Sequence, residues 1–135
     1  MSDCIFCKIA AGEIPANKIY ESDELLAFLD ITPVHPGHTL VIPKKHFANI
    51  LETPEELSCK MLELAKKIGK KVVEEFGADG VNITNNTHPA AGQSVLHVHF
   101  HIIPRYEHDG LQPWPHKSYG PGQAETVAAK LRMEE

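Results

Sequence analysis

The stretch SVLHVHFHIIPR, residues 94–105, alternates histidine with apolar side chains, and the interpretation of the whole chain starts from it. Alternate side chains of a β-strand share one face, so His97, His99 and His101 are predicted to point one way and the apolar residues the other. A face that only meets solvent would be served equally well by serine, threonine or lysine. Three imidazoles therefore indicate a functional site on a strand predicted over 94–103.

The clearest helix is predicted over residues 54–76. Thr53 and Glu56 form a capping-box pattern at its start, and Gly77 stands just past its end. Apolar side chains recur three or four residues apart along this segment, which gives the helix one apolar face. The residues of this face are Leu57, Met61, Leu64, Ala65, Ile68, Val72 and Phe76.

Shorter segments complete the predicted fold. The further strands are 24–30, 38–44 and 80–84. The first two are separated by the turn-rich ITPVHPG and are expected to pair antiparallel. A helical turn over 5–11 and a weak helix over 122–133 lie at the ends. We expect an α+β fold, an antiparallel sheet with one long helix packed on it and short terminal helices, as a single domain over 1–135.

The composition argues against several classes of partner. The net charge of −5 disfavours broad binding to nucleic acid or to an anionic membrane surface. The N-terminal MSDCIFCKIA lacks the pattern of a secretory signal, and no apolar run approaches the roughly 20 residues of a membrane span. We therefore expect a cytoplasmic location. Phosphate-binding glycine motifs are absent from the sequence, so phosphate would have to be held by imidazoles and backbone donors.

The three histidines admit two chemical readings. In the first, they form an open zinc site that activates water, since three imidazoles and an empty fourth position suit catalytic zinc. In the second, one neutral imidazole is a nucleophile towards phosphorus. Its attacking nitrogen must then be free, and its other nitrogen must carry the proton and donate it to an oxygen such as a carbonyl.

The sequence resembles the histidine triad (HIT) family, whose His-x-His-x-His motif stands here as HVHFHII. Three segments carry the resemblance, in the order in which the family has them, and together they extend over nearly the whole chain. They are CIFCKIAAGEIPA, AFLDITPVHPGHTLVIPKKH and GQSVLHVHFHIIPR. The chain is most similar to bacterial members of the Hint-like branch.

The resemblance implies a nucleotide hydrolase or nucleotidyl transferase acting on purine nucleoside 5′-phosphoramidates or related nucleotides. His99 would attack the α-phosphate and form a covalent nucleotidyl-histidine, which water then opens. His101 would hydrogen-bond the phosphate oxygens, and His38 would complete the site. The family also implies a homodimer. Dinucleoside polyphosphate hydrolysis and a non-catalytic, nucleotide-binding regulatory role remain as alternatives.

Residues before the triad and after the first predicted strand are candidate substrate contacts. By resemblance Asp30 binds the ribose, and a carboxylate can accept hydrogen bonds from both hydroxyls of a diol. The alternative for Asp30 is an Asx turn that opens the following bend. Asn86, Gln93 and Ser94 stand where the family contacts phosphate or leaving group; the alternative for these three is an ordinary polar loop.

Cys4 and Cys7 form a Cys-x-x-Cys pair in a chain with an odd number of cysteines, which favours metal or redox chemistry over a disulfide framework. Two thiolates need two further ligands to close a tetrahedral zinc site. The resemblance supplies His46 and His97, which makes the Zn²⁺ structural and leaves His99 free to react. The alternative is two reduced core cysteines beside an unliganded His97.

Overall fold

The computed structural model of the protein describes residues 3–134 and has the predicted α+β architecture, a five-stranded antiparallel sheet with one long helix. The helices are α1 (Ile5–Ala10), α2 (Glu55–Phe76) and α3 (Gln123–Leu131). The strands are β1 (Lys18–Glu21), β2 (Leu25–Leu29), β3 (Thr39–Pro43), β4 (Gly80–Asn85) and β5 (Phe100–Arg105). Short 3₁₀ turns lie at Ile50–Glu52 and Pro89–Ala91.

The strand order is β1-β2-β3-β5-β4, and every neighbouring pair is antiparallel. β2 and β3 are joined by a tight loop and pair as the sequence predicts. The pairing of β3 with β5 joins segments that are far apart in the chain, with Thr39 opposite Ile102 and Leu40 opposite His101. Because His38 directly precedes Thr39, this pairing places His38 beside the strand that carries His101.

The sheet is covered on both faces. The cluster beneath α2 contains Leu25, Ala27, Val41, Met61, Leu64, Ala65, Ile68, Val72, Val98 and Ile102. The cluster on the α1 side contains Phe6, Ile9, Leu26, Phe28, Leu40 and Ile42. Since helices cover both sides of β2 and β3, these strands are almost continuous apolar runs and do not alternate with polar residues.

The two ends of α2 differ in how well they were predicted. Gly77 adopts the left-handed conformation at φ +62°, the C-terminal cap that its position predicts. The capping box is wrong, because α2 begins after Pro54 without any side-chain cap. The hydroxyl of Thr53 donates instead to the Asn49 carbonyl oxygen at 2.8 Å, within the preceding 3₁₀ turn.

The strand predicted over 94–103 is displaced towards the C-terminus. β5 begins only at Phe100, which pairs with Asn85 at the end of β4. Residues 94–99 therefore extend beyond their neighbouring strand and lack a ladder partner. The Val98 N–H donates instead to the Phe47 carbonyl oxygen at 2.7 Å, which anchors the segment outside the sheet.

β1 was not predicted at all, because its four residues are all exposed and show no apolar alternation. The strand pairs only with β2 at the edge of the sheet. Over residues 3–134, none of the helices combines the length and the apolar character needed to span a bilayer.

Two neighbouring positions of α2 test the packing. Met61 is fully buried, whereas Leu62 is 51% exposed. Met61→Ala should lower the free energy of unfolding by about 2–5 kcal/mol, because it leaves a cavity beneath the helix. Leu62→Ala should change it by less than about 0.5 kcal/mol. Urea denaturation of both variants measures the difference, and equal losses would contradict the assigned helix face.

Candidate active site and metal centre

His97 and His99 lie in the irregular segment before β5, yet the alternation of side chains persists there. Val98 between them is 1% exposed and belongs to the cluster beneath α2. The rings of His97 and His99 lie on the opposite side, with edge-to-face contacts to Phe6 of α1 at centroid distances of 5.9 and 5.1 Å. His101 follows within β5, and its ring centroid is 5.0 Å from that of His99.

One of the two ring nitrogens of His99 is occupied by a hydrogen bond within the protein. Its Nδ1 lies 2.7 Å from the carbonyl oxygen of His97, and because a carbonyl only accepts, Nδ1 carries the proton. Nε2 of the neutral ring therefore holds the lone pair and has no hydrogen-bond partner among the described residues. The carbonyl of His99 accepts from the Asn85 side chain at 2.9 Å, which fixes the backbone at this point.

His38 and His101 form a hydrogen-bonded pair whose protons can be assigned. The Val34 N–H donates to Nδ1 of His38 at 3.0 Å, so the proton of a neutral His38 ring sits on Nε2. That Nε2 lies 2.9 Å from Nδ1 of His101, which must then accept. The proton of His101 is consequently on its own Nε2, leaving an N–H donor available next to the lone pair of His99.

The rings of His38, His99 and His101 are all held neutral by their surroundings. Burial lowers the pKa of His101 to about 4, and the nearby His99 and His38 act in the same direction. Burial also lowers the pKa of His38, partly opposed by Asp30. Burial likewise lowers the pKa of His99, opposed by its hydrogen bond to the His97 carbonyl. The site therefore offers a neutral nucleophile and neutral donors at cellular pH.

Asp30 follows β2 and forms the Asx turn that was one of its two sequence readings. Its Oδ1 accepts from the Thr32 N–H at 2.9 Å and from the Thr32 hydroxyl at 3.2 Å. Its Oδ2 lies 3.5 Å from Nε2 of His38 and makes no shorter hydrogen bond within the described residues. This oxygen thus stabilises the proton on His38 and retains acceptor capacity towards a ligand.

The three candidate substrate contacts in the loop before the triad differ in how far their polar groups are already hydrogen-bonded. Gln93 is buried, and its amide nitrogen donates to the carbonyls of Ala48 at 2.6 Å and Val95 at 3.0 Å. Both of its N–H groups are thereby used within the protein. Asn86 makes only a 3.4 Å bond to the Gly92 carbonyl, and Ser94 is exposed with no hydrogen bond among the described residues.

Cys4, Cys7, His46 and His97 converge on one point, with one potential ligand atom of each within 4.8 Å of the others. Nδ1 of His97 lies 3.3 Å from Sγ of Cys4 and 3.1 Å from Nδ1 of His46. Sγ of Cys7 lies 3.4 Å from Nδ1 of His46. Ligand atoms of a tetrahedral zinc site stand about 3.3–3.8 Å apart at the usual Zn–N and Zn–S lengths, so the four side chains fit such an ion.

The proton positions also fit a cation at this point. Nε2 of His97 donates to the Pro43 carbonyl oxygen at 2.8 Å, which directs the Nδ1 lone pair towards the cysteines. Burial and then the adjacent Cys4 sulfur raise the pKa of Cys7 to about 11. Without a metal the Cys7 thiol therefore keeps its proton and can donate it to Nδ1 of His46. Two thiolates and two imidazole lone pairs this close together would repel one another, whereas a metal ion between them would bind all four, so these residues can hold one.

The open zinc site built from the three triad histidines finds no support in this geometry. His97 turns its lone pair to the cysteines, whereas His99 holds its Nε2 lone pair apart from them. Asp30, His38 and His101 also come within metal-ligand range of one another. The Val34 N–H places the proton of His38 on the nitrogen that would have to bind the metal, which makes that nitrogen a donor.

Comparison with known proteins identifies the class to which this fold and site belong. Residues 11–108 match the HIT domain family. A HIT-like protein of Methanocaldococcus jannaschii is 55% identical over 107 residues, covering 79% of this chain and 82% of the relative. The adenosine 5′-monophosphoramidase hnt1 of Schizosaccharomyces pombe is 44% identical over 130 residues, covering 95% of each chain. The chain belongs to the HIT family, as its triad predicted.

Solved structures agree with this assignment. The crystal structure of a HIT family member from Bacillus subtilis superimposes with a TM-score of 0.87 at 43% identity, covering 98% of this chain and 99% of that one. A zinc-bound histidine triad family protein from Mycobacterium smegmatis gives a TM-score of 0.78 at 42% identity, covering 82% and 81%. The second is a family member in which zinc is present.

The neutral state of His101 has a measurable consequence. The unfolded ring titrates near 6.5 and the folded ring near 4, so between these values the unfolded state binds more protons. The free energy of unfolding must therefore fall as the pH decreases from about 6.5 towards 4. Between pH 7 and about pH 5, wild type should lose about 1–2 kcal/mol more than His101→Asn, as measured by urea denaturation. Equal losses would show that His101 is not held neutral.

Proposed function

We propose that the protein is a nucleotide hydrolase or nucleotidyl transferase that attacks the α-phosphate of purine nucleoside 5′-phosphoramidates or related nucleotides. The observation that carries the proposal is the bond from Nδ1 of His99 to the His97 carbonyl, which leaves Nε2 as a free nucleophile. Kinship with a protein named adenosine 5′-monophosphoramidase supports the substrate class. His99 is the nucleophile, with His101 and His38 as its catalytic neighbours.

The reaction divides into two displacements. Nε2 of His99 attacks the α-phosphorus, a phosphorus–nitrogen bond forms, and the bond to the leaving group breaks. The departing nitrogen takes up a proton from solvent water and leaves as the amine, and the proton released in the second step restores the balance. Water then attacks the same phosphorus, returns the electron pair to Nε2 and releases the nucleoside monophosphate and a proton. Nδ1 of His99 keeps its proton throughout, because the His97 carbonyl holds it.

The transferred phosphate is stabilised by neutral donors. His101 presents its Nε2–H to the non-bridging oxygens, and His38 holds the opposite nitrogen of that ring through a 2.9 Å hydrogen bond. Such preorganised donors act strongly in a site from which water is largely excluded. They let a chain of net charge −5 bind a phosphate without a lysine-rich patch.

The remaining contacts follow from which polar atoms are free. We propose that Oδ2 of Asp30 accepts from the ribose hydroxyls while Oδ1 maintains the turn. Ser94, which is exposed, and Asn86, which is half-buried, contact the phosphate or the leaving group. Gln93 was predicted to bind substrate too; since its amide donors are used internally, we propose that it supports the site by holding the loop that carries Ser94.

Two alternatives remain distinct. A dinucleoside polyphosphate hydrolase would use the same nucleophile, and the ratio of kcat/KM for a dinucleoside polyphosphate to that for adenosine 5′-phosphoramidate separates it from a phosphoramidase. A non-catalytic nucleotide-binding regulator would bind nucleotide without any turnover, and replacing His99 would then change nothing measurable.

Replacement of the nucleophile tests the mechanism. His99→Ala should lower kcat/KM for adenosine 5′-phosphoramidate by at least about 10³-fold, because it removes the attacking nitrogen. The variant should still bind adenosine monophosphate. Acid-labile adenylyl adduct on residue 99 should appear in quenched wild type by mass spectrometry. His116→Ala, in the exposed segment after β5, should behave as wild type; an adduct on another residue would refute the assignment.

We further propose that Cys4, Cys7, His46 and His97 bind one structural Zn²⁺. Two thiolates would balance the charge of the ion, so it would organise the segment carrying His97 and supply little polarisation of substrate. His97 donates its other ring N–H to the Pro43 carbonyl, which is the outer hydrogen bond common among zinc-binding histidines. The zinc-bound relative from Mycobacterium smegmatis is consistent with this ion.

Metal content tests the zinc proposal. Purified wild type should contain about one zinc per chain by elemental analysis, and Cys7→Ser should contain little and unfold at a lower temperature. Cys59→Ser, which changes an exposed cysteine outside the cluster, should retain both metal and stability. A brief excess of chelator should leave activity intact until the fold loosens. Immediate loss of activity would favour a catalytic metal.

We also propose that residues 1–135 form one HIT domain that acts as a homodimer in the cytoplasm. β4 is an edge strand, and its Ile83 is 37% exposed beside the unpaired edge. A second copy pairing there by two-fold symmetry would cover this edge and protect it from indiscriminate pairing. Reduced Cys4 and Cys7 suit the thiol-reducing cytoplasm.

A further inference from the structure

A carboxylate after β5 is the centre of a hydrogen-bond network that the proposed reaction does not use. Asp109 is almost buried, and Arg105 donates to both of its oxygens, at 2.7 and 2.9 Å. The backbone N–H groups of Tyr106 and Leu111 donate to it at 3.2 and 3.1 Å. Arg105 holds the pKa of Asp109 far below its usual range, so this group is a permanent acceptor.

The network also includes a histidine of the loop between β2 and β3. Nε2 of His35 lies 3.3 Å from Oδ2 of Asp109. An ionised carboxylate has no proton to give, so Nε2 of His35 must be the donor. The His35 ring also makes a perpendicular contact with Tyr106, with the centroids 5.2 Å apart. The middle of the β2–β3 loop is thereby attached to the turn that follows the strand carrying His101.

The same short turn acts together with Oδ2 of Asp30 to set the proton position on His38. The His38 N–H donates to the His35 carbonyl oxygen at 3.0 Å, and the Val34 N–H donates to Nδ1 of the His38 ring at 3.0 Å. The first bond is accepted by His35 itself, and the second is donated by its neighbour Val34. A shift of that turn would remove the Val34 donor, and His38 could then carry its proton on Nδ1 instead.

A changed proton position on His38 would also change His101, the proposed hydrogen-bond donor to the phosphate. If Nε2 of His38 lost its proton, it would present a lone pair to Nδ1 of His101 across 2.9 Å. His101 could relieve this repulsion only by moving its own proton to Nδ1. Its Nε2 would then face the substrate with a lone pair and no hydrogen, and the donor to the phosphate oxygens would be lost.

We infer that His35 and Asp109 are positioning residues that hold the His38–His101 pair in the tautomer that presents Nε2–H of His101 to substrate. The catalytic part of this inference rests on the proposed function, whereas the tautomer part does not. Wrong tautomers are costly in enzymes that depend on a histidine. Outer hydrogen bonds that fix the tautomer of metal-binding histidines are worth about 10–100-fold in activity, and we expect an effect of this size from His35.

A matched pair of variants tests the role of His35. His35→Gln keeps a nitrogen donor near the position of Nε2, whereas His35→Phe keeps the ring contact with Tyr106 and has no donor. Ring ¹⁵N chemical shifts distinguish protonated from unprotonated nitrogens. We expect wild type and His35→Gln to show His38 and His101 protonated on Nε2, and His35→Phe to show a population protonated on Nδ1. His116→Phe is the control.

Kinetics should follow the spectra. His35→Phe should lower kcat for adenosine 5′-phosphoramidate by about 10–100-fold with KM changed less, and His35→Gln should recover most of the loss. Wild-type tautomers and wild-type kcat in His35→Phe would overturn the inference. So would a wild-type spectrum showing His38 protonated on Nδ1. If His35→Phe does not fold, as judged by urea denaturation, His35→Asn takes its place, because its shorter amide does not reach Asp109.

The spectra keep this inference separate from the function proposed above. Inactive wild-type protein with the expected tautomers, and a changed tautomer in His35→Phe, would refute the phosphoramidase activity and support the positioning role. Active wild-type protein with unchanged tautomers in His35→Phe would do the reverse.

Discussion

A neutral imidazole has one proton and two nitrogens, and the site depends on backbone groups that decide where each proton sits. The Pro43 carbonyl accepts a hydrogen bond from His97, the His97 carbonyl accepts one from His99, and the Val34 N–H donates to the Nδ1 lone pair of His38. Each of these partners belongs to the main chain, whose position is set by the fold. Three chemically identical side chains thereby become suited to three different functions, which we propose to be metal ligand for His97, nucleophile for His99 and hydrogen-bond relay for His38.

The four potential metal ligands and the proposed nucleophile lie next to each other in the chain, because only Val98 separates His97 from His99. His97 turns its ring towards Cys4 and its carbonyl towards the ring of His99, so whatever holds the first residue also orients the second. Phe6 of α1 makes a roughly perpendicular contact with each of the two rings. The Cys-x-x-Cys helix thus lies against the triad, although it is some ninety residues away in sequence, as in the 93-residue separation of Cys4 and His97.

Local patterns predicted the elements whose signals are strong and self-contained. The periodic apolar face of α2, its glycine cap and the alternation around His99 all appear as expected, because each depends on near neighbours. β1 escaped prediction because an exposed edge strand needs no apolar pattern. The displaced start of β5 follows from where β4 ends, which is a property of the partner strand. Val34 donates its main-chain N–H to the His38 ring, and the side-chain amide of Asn85 donates to the His99 carbonyl. No sequence motif marks either contact.

The sequence alone determined the family, the face on which the three histidines lie and the set of four side chains that converge as potential metal ligands. These are properties of residue type, spacing and resemblance. Only the tertiary structure decided which ring nitrogen is free, that Gln93 holds the loop by its own amide, and that Asp109 attaches the turn beside His38. Proton positions and buried hydrogen bonds depend on how closely segments that are remote in the chain approach one another. The antiparallel pairing of β3 with β5 brings these segments together.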